Sequence, residues 1–179
     1  YSEKMMLDLR FNILNDDVHK FIIVESSFSH SGKKKKYNFD INDYSKFKDK
    51  IIYLQIENEP IDIYTDTEKL KNPIYQRLNS IKRIEQSYNH MMQGIVNAED
   101  EDLIMISDND EIPNLSSDKF KKSNKKFFIF KQLLFYYKFN LYYDLMPWFG
   151  SKACKKKYLK SFSNLRNLKN KKYPFWRID

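Results

Sequence analysis

Short apolar runs alternate with polar, lysine-rich stretches along the first two thirds of this chain. Phe21-Ile22-Ile23-Val24 and Ile51-Ile52-Tyr53-Leu54-Gln55-Ile56 are β-branched runs bounded by polar residues and predict buried strands. Leu103-Ile104-Met105-Ile106 predicts a third, and the aromatic stretch from Phe127 to Tyr137 one or two more. Met5 to Leu14 reads as a short helix. A long helix opens at Pro73, with Asn72 as its cap and apolar residues at Ile74, Leu78, Ile81, Tyr88, Met91, Met92 and Ile95 in a 3.6-residue rhythm. Ser31-Gly32 marks a turn between the first two strands, and the tail from Lys155 onward is basic and weakly patterned. Strands separated by helical stretches predict an α/β fold with a mostly parallel sheet, whose ligands sit at the carboxyl ends of the strands. Glu25-Ser26 and Ser107-Asp108 both fall at such ends and suggest one shared site.

Composition narrows the picture. The 179 residues are enough for one folded domain, and only three glycines and five prolines argue against a long disordered tail. The formal charge is +8, concentrated late: from Leu115 to Asp179 there are 17 Lys or Arg against three Asp and no Glu. Such a face meets an anionic partner or is simply a solvated lysine-rich surface, the plainer reading. A basic nucleic-acid-binding module is the alternative from another function class, supported by the interleaved aromatics but by no recognised motif. The single cysteine, Cys154, excludes an internal disulfide and a cysteine zinc set. No run approaches the roughly 18 apolar residues of a membrane helix.

The acidic run Ser107-Asp108-Asn109-Asp110-Glu111-Ile112-Pro113 follows the third predicted strand directly. If extended, Asp108 and Asp110 point the same way and repel unless a cation lies between them. Hard oxygen ligands in an open site suit Mg²⁺ or Mn²⁺, leaving positions for diphosphate oxygens. A calcium EF-hand loop fails here, because Pro113 stands where its glycine belongs and Lys119 where its glutamate belongs. A dehalogenase-type phosphatase expects Thr where Ile112 stands. A surface loop whose acids face water remains the bland alternative.

The segment Leu103 to Pro113 resembles the central motif of glycosyltransferase family 17, which includes the enzyme adding bisecting N-acetylglucosamine to N-glycans. Further segments resemble the same family in order and spacing: Ser2-Glu3 with Leu7, Leu9-Arg10 and Leu14; Phe21 to Ser26 with Ser29-His30-Ser31-Gly32-Lys33; Lys50 to Leu54; and Glu85, Asn89 and Gly94-Ile95. The resemblance implies a GT-A-like, Rossmann-like fold. It implies transfer of a sugar, N-acetylglucosamine or a relative, from a UDP-sugar donor to a glycan acceptor. Asp108 and Asp110 would then hold Mn²⁺ or Mg²⁺ at the donor phosphates, with Glu25, Ser26 and Glu3 on the donor side. Residues 1–113 would form the nucleotide-sugar half of a partial domain and 114–179 the start of the acceptor half. Glu111 is the candidate base for the acceptor hydroxyl.

The chain also departs from the family pattern. The arginine of the long helix falls at Tyr88, with Arg83 the nearest substitute, and the first strand and a later Gly-Trp-His segment lie outside the sequence, which reads as a fragment. Lys33 and Lys35 are candidate phosphate contacts, although solvated lysine is the commoner outcome. Aromatic residues at Phe135-Tyr136-Tyr137, Tyr142, Tyr143, Trp148 and Phe149 are expected in the core, with Trp148 the best candidate for sugar stacking. A cytoplasmic enzyme is the expectation, unless a missing N-terminal anchor places a full-length relative in the Golgi.

Overall fold

The computed structural model describes residues 3–136 and 140–169. In chain order the elements are α1 (Glu3–Leu14), β1 (Phe21–Ser26), β2 (Ile51–Ile56), α2 (Thr67–Leu70), α3 (Pro73–Met91), β3 (Leu103–Ile106), α4 (Asp118–Lys121), β4 (Phe127–Ile129), β5 (Gln132–Phe135), β6 (Tyr142–Trp148), β7 (Lys152–Lys155) and α5 (Phe162–Arg166). The chain forms two compact units. One comprises residues 1–18 and 98–179, the other residues 19–97. These bounds are structural and differ from the expected division into donor and acceptor halves at Pro113.

In the 19–97 unit, β1 and β2 pair in parallel, Phe21 opposite Ile51 through Ser26 opposite Ile56. The crossover includes a 3₁₀ segment, Ile41–Lys50, whose N-terminus is capped by Asp40 and whose Tyr44 and Phe47 are buried. Helix α3 packs on this pair. It begins as the sequence predicts, with the Asn72 side chain accepting from Ile74 N–H and Pro73 in the first turn. Its apolar rhythm does not all turn inward: Ile74, Leu78 and Ile81 are exposed, and the buried position is Asn79. Asn79 is satisfied by the backbone of Tyr64, accepting from its N–H at 2.9 Å and donating to its C=O at 2.8 Å. Gly94 is a close-approach position, since a Cβ there would lie 2.7 Å from Ile22 Cγ2.

The other unit is mixed and antiparallel. Strand β7 lies between β3 and β4, antiparallel to both, with Ile104 opposite Cys154 and Phe128 opposite Ala153. Phe11, Leu14, Ile104, Ile106, Pro113, Leu115, Ala153, Cys154, Phe162 and Leu165 are its buried apolar residues. Strand β7 pairs on both edges and α5 packs on it, so that even Lys152 is buried there, 8% exposed. The expectation of a mostly parallel sheet is therefore met by β1 and β2 alone. The fold is mixed α/β with small sheets, and β3 pairs antiparallel with a strand of the basic tail.

Strands β5 and β6 form an irregular hairpin. The aromatics expected in the core stand largely outside it: Phe135, Tyr136 and Tyr142 are exposed, as is Trp148, the expected exception. A two-stranded ribbon has no second layer of its own to cover them, and their rings pack on one another instead, Phe135 on Tyr142 and Tyr136 on Tyr143. Tyr137 lies outside the described residues. Among the described residues no helix is long and apolar enough to cross a membrane.

Candidate functional site

Strand β3 delivers the acidic run and ends at Ile106, one residue before Ser107. The extended geometry that would align Asp108 with Asp110 stops there. Glu111 N–H donates to Asp108 C=O at 3.1 Å, closing a turn with Asn109 and Asp110 at its centre. The turn is braced from within by its own acid, since Glu111 Oε2 accepts from Asp108 N–H at 2.8 Å. It is also braced by α1, whose Arg10 donates to Glu111 C=O at 2.5 Å, to Asp108 C=O at 3.4 Å and to Ser107 Oγ.

Glu111 is the hub. It is 4% exposed, and both carboxylate oxygens are occupied. Trp148 Nε1 donates to Oε1 at 2.8 Å, and the Arg166 guanidinium donates to Oε2 at 2.7 Å and to Oε1 at 3.0 Å. Gly150 makes this packing possible. A Cβ there would stand 1.8 Å from Glu111 Oε1 and 2.2 Å from Trp148 Nε1, distances no side chain tolerates. Burial alone would push the Glu111 carboxyl up, but Arg166, the Asp108 amide and Trp148 together hold it below the usual glutamate range.

Arg166, at the end of α5, spends the remaining hydrogens of its terminal nitrogens on Gly150 C=O at 2.8 Å and Asp108 Oδ2 at 2.5 Å. Lys152 Nζ in turn donates to the Arg166 carbonyl, fixing the backbone that carries the guanidinium. The Asp108 side chain is 59% exposed and Asp110 is also exposed. Partial desolvation pushes the Asp108 carboxyl up; Arg166 opposes this, while the like charges of Glu111 and Asp110 add to it. The turn therefore presents two crowded carboxylates outward and keeps the third acid inside. Asn109 Oδ1, also in the turn, is buried and finds no donor among the described residues.

This donor set fits one kind of cation and not another. Among the described residues, no group of three His, Cys, Asp or Glu could cage a metal unaided. Two exposed carboxylates and an orphaned amide oxygen suit a hard ion that brings water or phosphate oxygens as its other ligands.

The remaining candidates are described by the bonds they make within their own unit. Glu25 lies in the 19–97 unit, and its carboxylate accepts from Lys35 Nζ at 2.6 Å, Asn38 N–H at 2.8 Å, Phe39 N–H at 3.0 Å and the Tyr53 hydroxyl at 3.0 Å. Lys35, a candidate phosphate contact, is its ion-pair partner. Ser26 Oγ accepts from Phe28 N–H at 3.1 Å. Arg83, the nearest substitute for the family arginine, forks onto Glu59 at 2.7 and 2.9 Å and donates to His30 C=O. The side chain of Glu3 lies outside the described residues. Sequence reasoning missed Arg166, Gly150 and Lys152 as site residues. Nothing in the sequence from Gly150 to Arg166 distinguishes them until β7 and α5 bring them to Glu111.

The sequence model of Glycosyltransferase family 17 matches residues 1–169, a span that takes in α1, the acidic turn, Gly150 and Arg166. The chain belongs to glycosyltransferase family 17. No curated protein and no solved structure matches it. Membership makes the chain a glycosyltransferase in the general sense, acting between a sugar donor and an acceptor.

Proposed function

We propose that this family 17 chain transfers a sugar, N-acetylglucosamine or a close relative, from a UDP-sugar to a hydroxyl of a glycan, and that the Asp108–Glu111 turn is its donor-phosphate site. The observation that carries the reading is the division of labour in the turn. Glu111 is buried and saturated, whereas Asp108 and Asp110 are exposed. Acids that merely solvate a loop need no such bracing. Here Arg10 fixes two carbonyls of the turn and Arg166 fixes Glu111, so the backbone that carries the outward carboxylates is held before any ligand arrives.

Asp108 and Asp110 would hold Mn²⁺ or Mg²⁺, which when bound neutralises charge developing on the leaving diphosphate. The protein's part is to hold the backbone of the turn so that both carboxylates stay at the surface, Asp108 against Arg166. We assign Glu111 to holding the turn and not to taking the acceptor proton, because both of its oxygens are engaged and its carboxyl is held low. Glu25, equally saturated, is assigned to ordering residues 35–39 of its own unit.

A thermal melt tests the reading. UDP with Mn²⁺ should raise the midpoint, by about 2.7 kcal/mol of stabilisation at a hundredfold excess over Kd. UDP alone should not. Asp110→Ala should abolish the effect while leaving the ligand-free midpoint unchanged. Equal protection without manganese, or protection retained in Asp110→Ala, contradicts the proposal.

A further inference from the structure

Among the described residues, the terminal nitrogens of Arg166 make four hydrogen bonds, and they are not equivalent. Three end on a rigid frame: both oxygens of buried Glu111 and the carbonyl of buried Gly150. The fourth ends on Asp108 Oδ2, on a side chain more than half exposed. The guanidinium is itself mostly covered, 17% exposed, and its backbone carbonyl is held by Lys152. If one partner exchanges, it is Asp108. The arginine stays in place and keeps an N–H directed at the turn's outer face.

We propose that Arg166 couples cation binding to diphosphate binding. While its N–H holds Asp108 Oδ2, that carboxylate is partly neutralised, and a dication arriving alone meets a fixed positive charge. An anionic oxygen of a diphosphate takes over the same N–H and screens the charge, releasing Asp108 to the cation. Arg166 is thus a positioning residue that makes the two ligands bind as a pair. Planar, doubly forked contact with Glu111 is a geometry that lysine cannot reproduce. The inference rests on the donor-phosphate reading of the turn.

Paramagnetic resonance of free Mn²⁺ measures the coupling directly. Mn²⁺ is titrated into the full chain with and without UDP, correcting for the Mn²⁺ that UDP binds in solution. Wild type should bind Mn²⁺ at least about tenfold more tightly when UDP is present. In Arg166→Gln, Mn²⁺ alone should bind about tenfold more tightly than in wild type, and the UDP enhancement should shrink several-fold. Arg166→Lys, which retains charge without the fork, should fall between and serves if the glutamine variant does not fold. Circular dichroism checks folding of each variant. An enhancement unchanged in a folded Arg166 variant overturns the coupling while leaving the donor site standing. No Mn²⁺ binding by wild type under either condition removes the donor-site reading and the coupling with it.

Discussion

Replacing Glu111 with alanine tests the architecture of the turn. The side chain is 4% exposed and accepts from Trp148, from Asp108 N–H and twice from Arg166. Removing one partner of a buried ion pair costs about 3–5 kcal/mol, mostly because the other charge is left behind. Arg166 is 17% exposed and keeps Asp108 and Gly150 C=O, which places the loss at the low end, about 3 kcal/mol. For a chain of this size that is a fall of about 6–12 °C in midpoint. Urea unfolding followed by the fluorescence of Trp148, in a Trp176→Phe background, reads the unit concerned. Glu111→Gln keeps the shape and an acceptor for Trp148 and should lose about half as much. A loss below about 1 kcal/mol for Glu111→Ala, the range of an exposed pair, refutes the hub.

The pH dependence follows from the same carboxylate. Its native pKa is lowered from 4.5, so its stabilising contribution is whole above that value and disappears as pH falls through the native pKa; Glu111→Gln should remove this acid limb. Gly150→Ala drives a Cβ into Glu111 and Trp148 and should cost at least as much as Glu111→Ala, by urea unfolding. Gly32 has φ +87° and a Cβ there would lie 2.5 Å from Arg83 Nη2; Gly32→Ala should lose about 2 kcal/mol in urea unfolding followed by far-ultraviolet circular dichroism. Burial, with hydrogen bonding to Glu25, pushes the Tyr53 hydroxyl up to about 12, so ultraviolet titration should show a late tyrosine ionisation that moves earlier in Glu25→Gln.

Elements with their own local signal were legible in the chain. The β-branched runs of β1 and β2, the apolar run of β3 and the Asn72-Pro73 start of α3 stand where hydropathy and capping put them. Strand β7 was not, because Lys152-Ala153-Cys154-Lys155 carries a lysine at each end and owes its place to pairing with β3 and β4 and to α5 packing on it. The parallel-sheet expectation failed for that reason: the strand that pairs with β3 lay hidden in a short segment with a lysine at each end. In the site, Asp108 and Asp110 were visible because they follow an apolar run. Arg10 and Arg166 were not visible as partners, since each lies far along the chain from the turn it holds, and only packing brings them there. Glu111 was readable as an acid near the chemistry, but its burial against Trp148 and Gly150 was not.

The central claim is that Asp108 and Asp110 share one divalent cation with the donor diphosphate. Crystals of the chain grown with UDP and Mn²⁺, recorded at the manganese edge, locate that ion directly. The account predicts an anomalous peak ligated by both aspartates and by diphosphate oxygens, with Glu111 still bound to Arg166 and Trp148 behind it. A peak at any other acidic pair, or ordered UDP with no metal at this turn, contradicts it.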